Sequence, residues 1–401
     1  MSQPPSAMPE SRPTVVVGGT IAIDHVKTPD AEAAGLLGGS AAYAALAASF
    51  YCRPVGLIGI IGHDFPREHL DMLENHGVSL AGVERSPNES FTWSGEYHAN
   101  MNERTTRRVG LNVLENWRVK VPAAAAAAPI VVLANMSPDN QLEMLAQCGI
   151  GEKRSEIGDW RSEVGGRRSE VGDGGCSDVS GIPSASSNPQ STIRDPRSLQ
   201  RFVIADTMDL WIEIANERLH EVLPKLDLFV LNEGEARELS GTSNLVRAGR
   251  ILLAKGPRHV VIKLGEFGAM LFSSEEIGDR RSEIVDGGCS DVSGISSASS
   301  HPQSTIHDPR SLPTIFRCSA WPLEHVADPT GAGDTFLGAL AGSLAAHGPP
   351  PYDAAALRQA IIQGAILASF TCEAFSTRRL ESLQPADIDH RLQQFRQATH
   401  W

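Results

Sequence analysis

The stretch Ala327-Asp328-Pro329-Thr330-Gly331-Ala332-Gly333-Asp334-Thr335-Phe336 joins a double-glycine turn to an acid and then to an apolar helical pattern. Phe336, Leu337, Leu340, Ala341 and Leu344 recur at i, i+1, i+4, i+5 and i+8, which is one face of a helix. Gly348 and the Pro349-Pro350-Pro351 run supply its stop. Gly331, Ala332 and Gly333 are therefore expected at a helix N-terminus, with free backbone N–H groups and little side-chain bulk. Unpaired donors and the helix dipole both favour an anion there. A carboxylate in such a place would repel a phosphate, so Asp334 needs a reason to be present. Taking the proton from a hydroxyl that attacks a phosphoryl group is one. Capping the helix at an ordinary glycine turn is the other.

Around this stretch lie 401 residues, 41% of them apolar, ample for a large core. A formal charge of -13 argues against a nucleic-acid partner, which would need cations for its phosphates. There is no run of about 18 apolar residues, so no membrane span is expected. Met1 to Pro13 is polar and proline-rich, without the apolar stretch of a signal peptide, and is expected to be a flexible tail. The six cysteines form no Cys-x-x-Cys pair and no His/Cys cluster with zinc spacing. A reduced, cytoplasmic setting is the simplest reading.

The chain also carries a near-duplicate. Arg167 to Leu199 and Arg280 to Leu312 align over 33 positions and differ at five. Both copies are rich in Ser, Gly, Asp and Arg and lack sustained periodicity. Two copies are too few to stack as a repeat architecture. Segments 151–199 and 275–313 are read as disordered insertions, with an interaction module as the alternative. Without them 313 residues remain, a normal size for one α/β domain over 14–401. The excision brings the Ala269–Phe272 strand next to a partner near Ile315–Arg317.

Short, nearly continuous apolar runs alternate with helical patterns along the rest. Thr14–Val17, Val55–Ile61, Ile130–Leu133, Phe202–Ala205, Leu228–Leu231 and Val260–Lys263 read as strands of a parallel sheet covered on both faces. Ser40–Ser49, Arg67–Asn75, Pro138–Gln147, Leu245–Ala254 and Ala354–Ala368 read as the helices between them. The alternation predicts a doubly wound α/β sandwich with ligands at the carboxyl ends of the strands. Ser90 to Val113 is polar and β-prone, and reads as an antiparallel hairpin. No Gly-x4-Gly-Lys-Ser/Thr loop occurs and no Gly-x-Gly-x-x-Gly follows the first strand, which speaks against Walker-type and dinucleotide enzymes.

The string Asp328-x-x-Gly331-Ala332-Gly333-Asp334-x-Phe336 resembles the signature of the ribokinase-like carbohydrate kinases, also called the phosphofructokinase-B family. Other segments support the resemblance: Val17–Asp24, Leu37–Ala44, Gly56–Asp64, Leu231–Ala236 and Lys263–Gly268. It implies a three-layer α/β/α sandwich with a mainly parallel sheet and a small β lid from about 24–37 and 90–113. It implies an ATP-dependent kinase for a sugar or sugar-like alcohol, with Asp334 as base and Gly331, Ala332 and Gly333 holding the transferred phosphoryl group. Asp24, Gly38 and Gly39 would bind the substrate. Lys263, Gly265, Gly268 and Thr330 would lie on the ATP side. Asn232 and Glu235, three apart at a helix start, could share hydrated Mg2+ or could simply cap that helix. Asp64 would serve structure. A monovalent cation and a homodimer are left open.

Many members carry Asn where this chain has Tyr43, which counts against ribose-type recognition. Tyr43, Phe91, Trp93 and Tyr97 could instead stack on a base or ring, so a nucleoside or inositol kinase is the alternative within enzymes. A non-catalytic small-molecule sensor is the alternative outside them, although a silent relative has no need of Asp334. Asp206-Thr207-Met208 and Trp211 follow a strand end and could shape either side of the site.

Overall fold

Val15, Val16 and Val17 are each wholly buried. Successive side chains of a strand point to opposite faces, so the sheet they belong to must be covered on both. The computed structural model describes residues 12–151, 201–274 and 314–399. The tail up to residue 11 and both insertions, apart from Gly151, lie outside these residues.

The strands, in chain order, are β1 Val15–Gly18, β2 Ala22–Lys27, β3 Glu32–Gly38, β4 Val55–Ile61, β5 Val78–Arg85, β6 Thr92–Tyr97, β7 Arg104–Gly110, β8 Ile130–Leu133, β9 Phe202–Ala205, β10 Leu228–Asn232, β11 His259–Lys263, β12 Ala269–Ser273 and β13 Thr314–Cys318. The helices are α1 Ser40–Ala48, α2 Arg67–Asn75, α3 Ala123–Ala126, α4 Pro138–Gln147, α5 Asp209–Ile214, α6 Asn216–Val222, α7 Glu233–Ser240, α8 Leu245–Ala254, α9 Ala332–His347, α10 Ala354–Thr371, α11 Arg378–Glu381 and α12 Pro385–Thr399.

Nine strands form the large sheet in the order β13-β12-β11-β10-β9-β8-β1-β4-β5. It is parallel from β5 to β11, and β12 and β13 close it antiparallel. The expected pairing across the second insertion is present, with Phe272 opposite Ile315 and Met270 opposite Arg317. One face carries Val15 and Val17 with α1, α9, α10 and α12. The other carries Val16, Val131 and Val203 with α4, α6, α7 and α8. The architecture is therefore the expected three-layer α/β/α sandwich. Among the described residues no helix is long and apolar enough to cross a membrane. The four described cysteines are all free.

Chain order places β4 on one side of β1 and β8 on the other. The crevice where connections diverge to opposite sides of a strand is where such sheets bind ligands, outside the carboxyl ends. A second sheet, β3-β2-β6-β7, starts from that end of β1. Its β2–β6 pair is parallel, and β6–β7 is the expected antiparallel hairpin. Its inner face is the small apolar cluster of Val26, Leu36 and Tyr97, with Trp93, Met101 and Phe375 against it.

Candidate active site

Helix α9 begins at Ala332, with Gly331 as its N-cap in the left-handed region, φ +76°. That conformation suits glycine, and the position is also too crowded for anything larger. A β-carbon at Gly331 would fall 2.3 Å from Tyr43 Cε1. The turn is held from behind by Asp328, which accepts from Thr330 N–H at 2.9 Å and Ser376 N–H at 3.1 Å. From the front, the Thr330 hydroxyl donates to the Tyr97 hydroxyl of β6 at 3.2 Å. Ala332 N–H already donates to Pro329 O at 3.2 Å, so it is not the free donor expected from the sequence. Gly331 to Asp334 are only half-buried, so the turn and its acid meet the crevice.

Lys263, at the end of β11, reaches across to this turn. A β-carbon at Gly333 would lie 2.9 Å from Lys263 Nζ. An ammonium group thus adds its charge to the positive end of the α9 dipole. Burial raises the Asp334 carboxyl above the ordinary 3.8, and Lys263 and Arg104 oppose that rise. A raised carboxyl suits a base that must hold a proton in passing.

Asp24 and the Gly38-Gly39 pair come together, and at both glycines a side chain would not fit. A β-carbon at Gly38 would fall 2.1 Å from the Asp24 carboxyl carbon, so Gly38 makes room for that side chain. Gly39, at φ +90°, would put a β-carbon 2.4 Å from Thr20 O, so it lets α1 start against the β1–β2 connection. Thr20 Oγ1 then accepts from Ser40 N–H at 3.1 Å. Burial, then Asp328 and Asp334, push the Asp24 carboxyl up to about 8. Asp24 and Trp93 are partners across β2 and β6, which sets a carboxyl group beside an indole on one sheet face.

Asn232 and Glu235 form the capping box weighed above. Asn232 Oδ1 accepts from Glu235 N–H at 2.9 Å, and Glu235 Oε2 accepts from Asn232 N–H at 2.8 Å. The box takes one carboxylate oxygen and leaves the other. Burial raises Glu235 to about 7 against the pull of Lys263. Gly265, at φ +55°, meets only Asn102 Oδ1 at 3.6 Å and stays open. Gly268 is closed in by the neighbouring strand. Its missing side chain leaves space for the backbone of Cys318, whose carbonyl oxygen would be 2.0 Å from a β-carbon there. Tyr43 cannot stack on a ligand either, because it is 1% exposed and packs beneath Gly331. Asp64 accepts from Ser90 N–H and hydroxyl, both at 2.7 Å, a structural duty as expected.

Known proteins share this fold. The model of the pfkB family carbohydrate kinases matches residues 198–286. A cytidine kinase of Thermococcus kodakarensis is 24% identical over 258 residues, which is 64% of this chain and 75% of the relative. A nucleoside kinase of Methanocaldococcus jannaschii, an archaeal member of the ribokinase family, superposes with a TM-score of 0.59 at 13% identity, covering 96% of this chain and 99% of that one. Arabidopsis thaliana ribokinase complexed with ribose and ATP gives 0.59 at 16%, covering 95% and 98%. The chain has the fold of the ribokinase-like kinases, and part of it matches the pfkB model.

Within this fold two residues carry more than their sequence context predicts. Asp206 follows β9, is 4% exposed, and its Oδ1 has no hydrogen-bond partner. Burial and then Asp334 hold its carboxyl well above the ordinary range, while Lys263 opposes them. Its place at a strand end was the available signal, and only the fold shows that β9 ends beside β8 and β10. Tyr97 was legible as an aromatic, but its bond to Thr330 spans 233 positions and left no local trace.

Proposed function

We propose that this kinase transfers the γ-phosphoryl group of ATP to a hydroxyl of a sugar-like small molecule, a nucleoside or a free sugar. One observation carries the reading: Asp334 stands in the first turn of α9, beside a half-open glycine turn over which Lys263 Nζ is placed. Asp24, with Trp93 next to it, would hold ring hydroxyls and present the reacting hydroxyl to Asp334. Asp334 takes that proton as the oxygen attacks in line. Gly331 and Gly333, the helix dipole and Lys263 stabilise charge on the group in transit. The likeness to a cytidine kinase supports a nucleoside as acceptor.

The residues present fit Mg2+. The partnerless Asp206 oxygen and the second oxygen of Glu235 form an all-oxygen donor set. No group of three or more ligand-type residues is placed to hold a metal among the described residues, which suits an ion that keeps most of its waters. Asn232 and Glu235 would hold it through water, and its charge would neutralise phosphate oxygens.

The test is ADP release with pentoses, hexoses, inositols and nucleosides, repeated with Asp334→Asn. At least one nucleoside or sugar should be phosphorylated, and the variant should lose about two to four orders of magnitude in turnover while still binding ATP. Turnover retained by Asp334→Asn would remove it as the base.

A further inference from the structure

One polar side chain at the switch point of the sheet has no part in the mechanism above. Asn135 comes two residues after Leu133, the end of β8, which is level with Gly18 of β1. Its backbone carbonyl accepts from Thr20 N–H at 3.1 Å and from the Ser40 hydroxyl at 3.3 Å. The first bond ties it to the β1–β2 connection, the second to the start of α1. Asn135 is thereby fixed where the connections of the sheet diverge and ligands bind. Its neighbour Met136 is 2% exposed and packs beside Gly18, whereas Asn135 itself is half-buried.

The amide of Asn135 is held in one sense. Trp211 Nε1 donates to Asn135 Oδ1 at 2.8 Å. An indole N–H can only donate, so the amide oxygen must face Trp211 and the NH2 group must face away. Among the described residues no hydrogen bond uses that Nδ2, and the atom is not sealed from solvent. The crevice therefore meets two donors here and no acceptor. Trp211 belongs to α5, whose Ile212 packs in the layer of Val16, Val131 and Val203. Asp334 stands in the first turn of α9, whose Phe336, Leu337 and Leu340 pack in the opposite layer with Val15 and Val17. A molecule that offers a hydroxyl to Asp334 and also meets the amide beside Trp211 must cross the carboxyl edge of the sheet. A free pentose has a single ring to spend on both, whereas a nucleoside carries a second group beyond its sugar.

We propose that Asn135 sets acceptor specificity by donating from Nδ2 to a carbonyl oxygen or ring nitrogen of a nucleobase, with Trp211 as the positioning residue that fixes the amide's direction. This rests on the kinase reading above and narrows its acceptor to a nucleoside. A donor facing the crevice costs little while water reaches it. It costs more once a ligand without the matching atom excludes that water, and discrimination against such a ligand follows. The contact lies away from the transferred group and is made alike before and during transfer, so it belongs to KM rather than to kcat.

The experiment offers cytidine, uridine, inosine, adenosine and ribose to wild type, Asn135→Ala, Asn135→Asp, Trp211→Phe and the Asn135→Ala/Trp211→Phe pair. The best acceptor of wild type should be a nucleoside. Asn135→Ala should raise its KM about 10- to 100-fold with kcat within about threefold, and should leave the KM of ribose within about twofold. Asn135→Asp keeps the shape and the bond from Trp211 but turns an acceptor to the crevice, so its nucleoside KM should rise at least as far. Trp211→Phe should raise that KM by a smaller factor, because the amide is then free to turn. The double variant should match Asn135→Ala, since Trp211 acts only through the amide. Calorimetric titration of the same compounds reads the contact without turnover. A preference for ribose, equal losses for nucleoside and ribose, additive losses in the double variant, or no nucleoside binding by wild type would overturn the assignment. A wild type that binds a nucleoside through Asn135 but phosphorylates nothing would refute the kinase reading and leave this one standing.

Discussion

Asp24 is 5% exposed, shares its surroundings with Asp328 and Asp334, and makes no ion pair among the described residues. Its carboxyl, pushed up to about 8 against an ordinary 3.8, keeps its proton in the folded protein where the unfolded chain has released it. The favourable contribution is present in full below about pH 4. It is lost as pH rises towards 8, because the unfolded chain then gains by releasing a proton that the folded state retains. Asp24→Asn cannot ionise, so its melting temperature should gain on that of wild type between pH 5 and 8 and match it near pH 4. Thermal melts across that range check this, and parallel curves would mean the carboxyl titrates normally.

Helices α1 and α9 start at the crevice, and their contact fixes how far apart those starts lie. α1 is alanine-rich and buried along its whole length. Gly338 and Gly342 of α9 press on it, and a β-carbon at Gly338 would fall 2.0 Å from Ala44 O. Alanine at position 338 would gain up to about 1 kcal/mol in helix propensity. Overpacking costs about 1–3 kcal/mol, and here the obstacle is backbone, which cannot rotate away. Gly338→Ala should therefore lower the denaturant midpoint, and should weaken activity by tilting the Gly331 turn. An unchanged midpoint would show that the helices slide apart freely.

At this scale much was readable in advance. β4, α2, α4, β8, β9 and α8 have the bounds their periodicity predicts, because burial on both faces or on one stripe leaves a direct mark in the residue order. Asp334 and Lys263 could be singled out because each sits near an element's end, and Asp24 because it closes the Val17–Asp24 motif. The partners could not. Gly268 makes room for Cys318, Gly38 for Asp24 and Gly331 for Tyr43, and the first and last of these join segments far apart in sequence. A glycine announces that space is needed but not who will take it.

Over the molecule as a whole, the candidate site residues gather at one end of the large sheet. Gly18, Asp206, Asn232 and Lys263 mark the carboxyl ends of β1, β9, β10 and β11. The first insertion enters β9 from its amino end at Arg201. The second joins Ser273 and Thr314, which are ladder partners at the end of the β12–β13 pair remote from Gly268. Long insertions cost little closure entropy when their ends already lie together. Deleting 275–313 in favour of a short turn should leave the melting temperature within a few degrees and turnover within about twofold. Loss of soluble protein on deletion would show that the insertion is part of the fold.

The adjacency of Ser273 and Thr314 also means that the peptide connection there is not what keeps β13 in register; the ladder does that. Asp24 and Lys263 lie before this junction and Asp334 after it. A protein supplied as two chains, split at this point, would hold the proposed acceptor-binding acid and the proposed base on different molecules. Catalysis would then exist only in the reassembled pair, making turnover a direct reporter of two fragments finding each other.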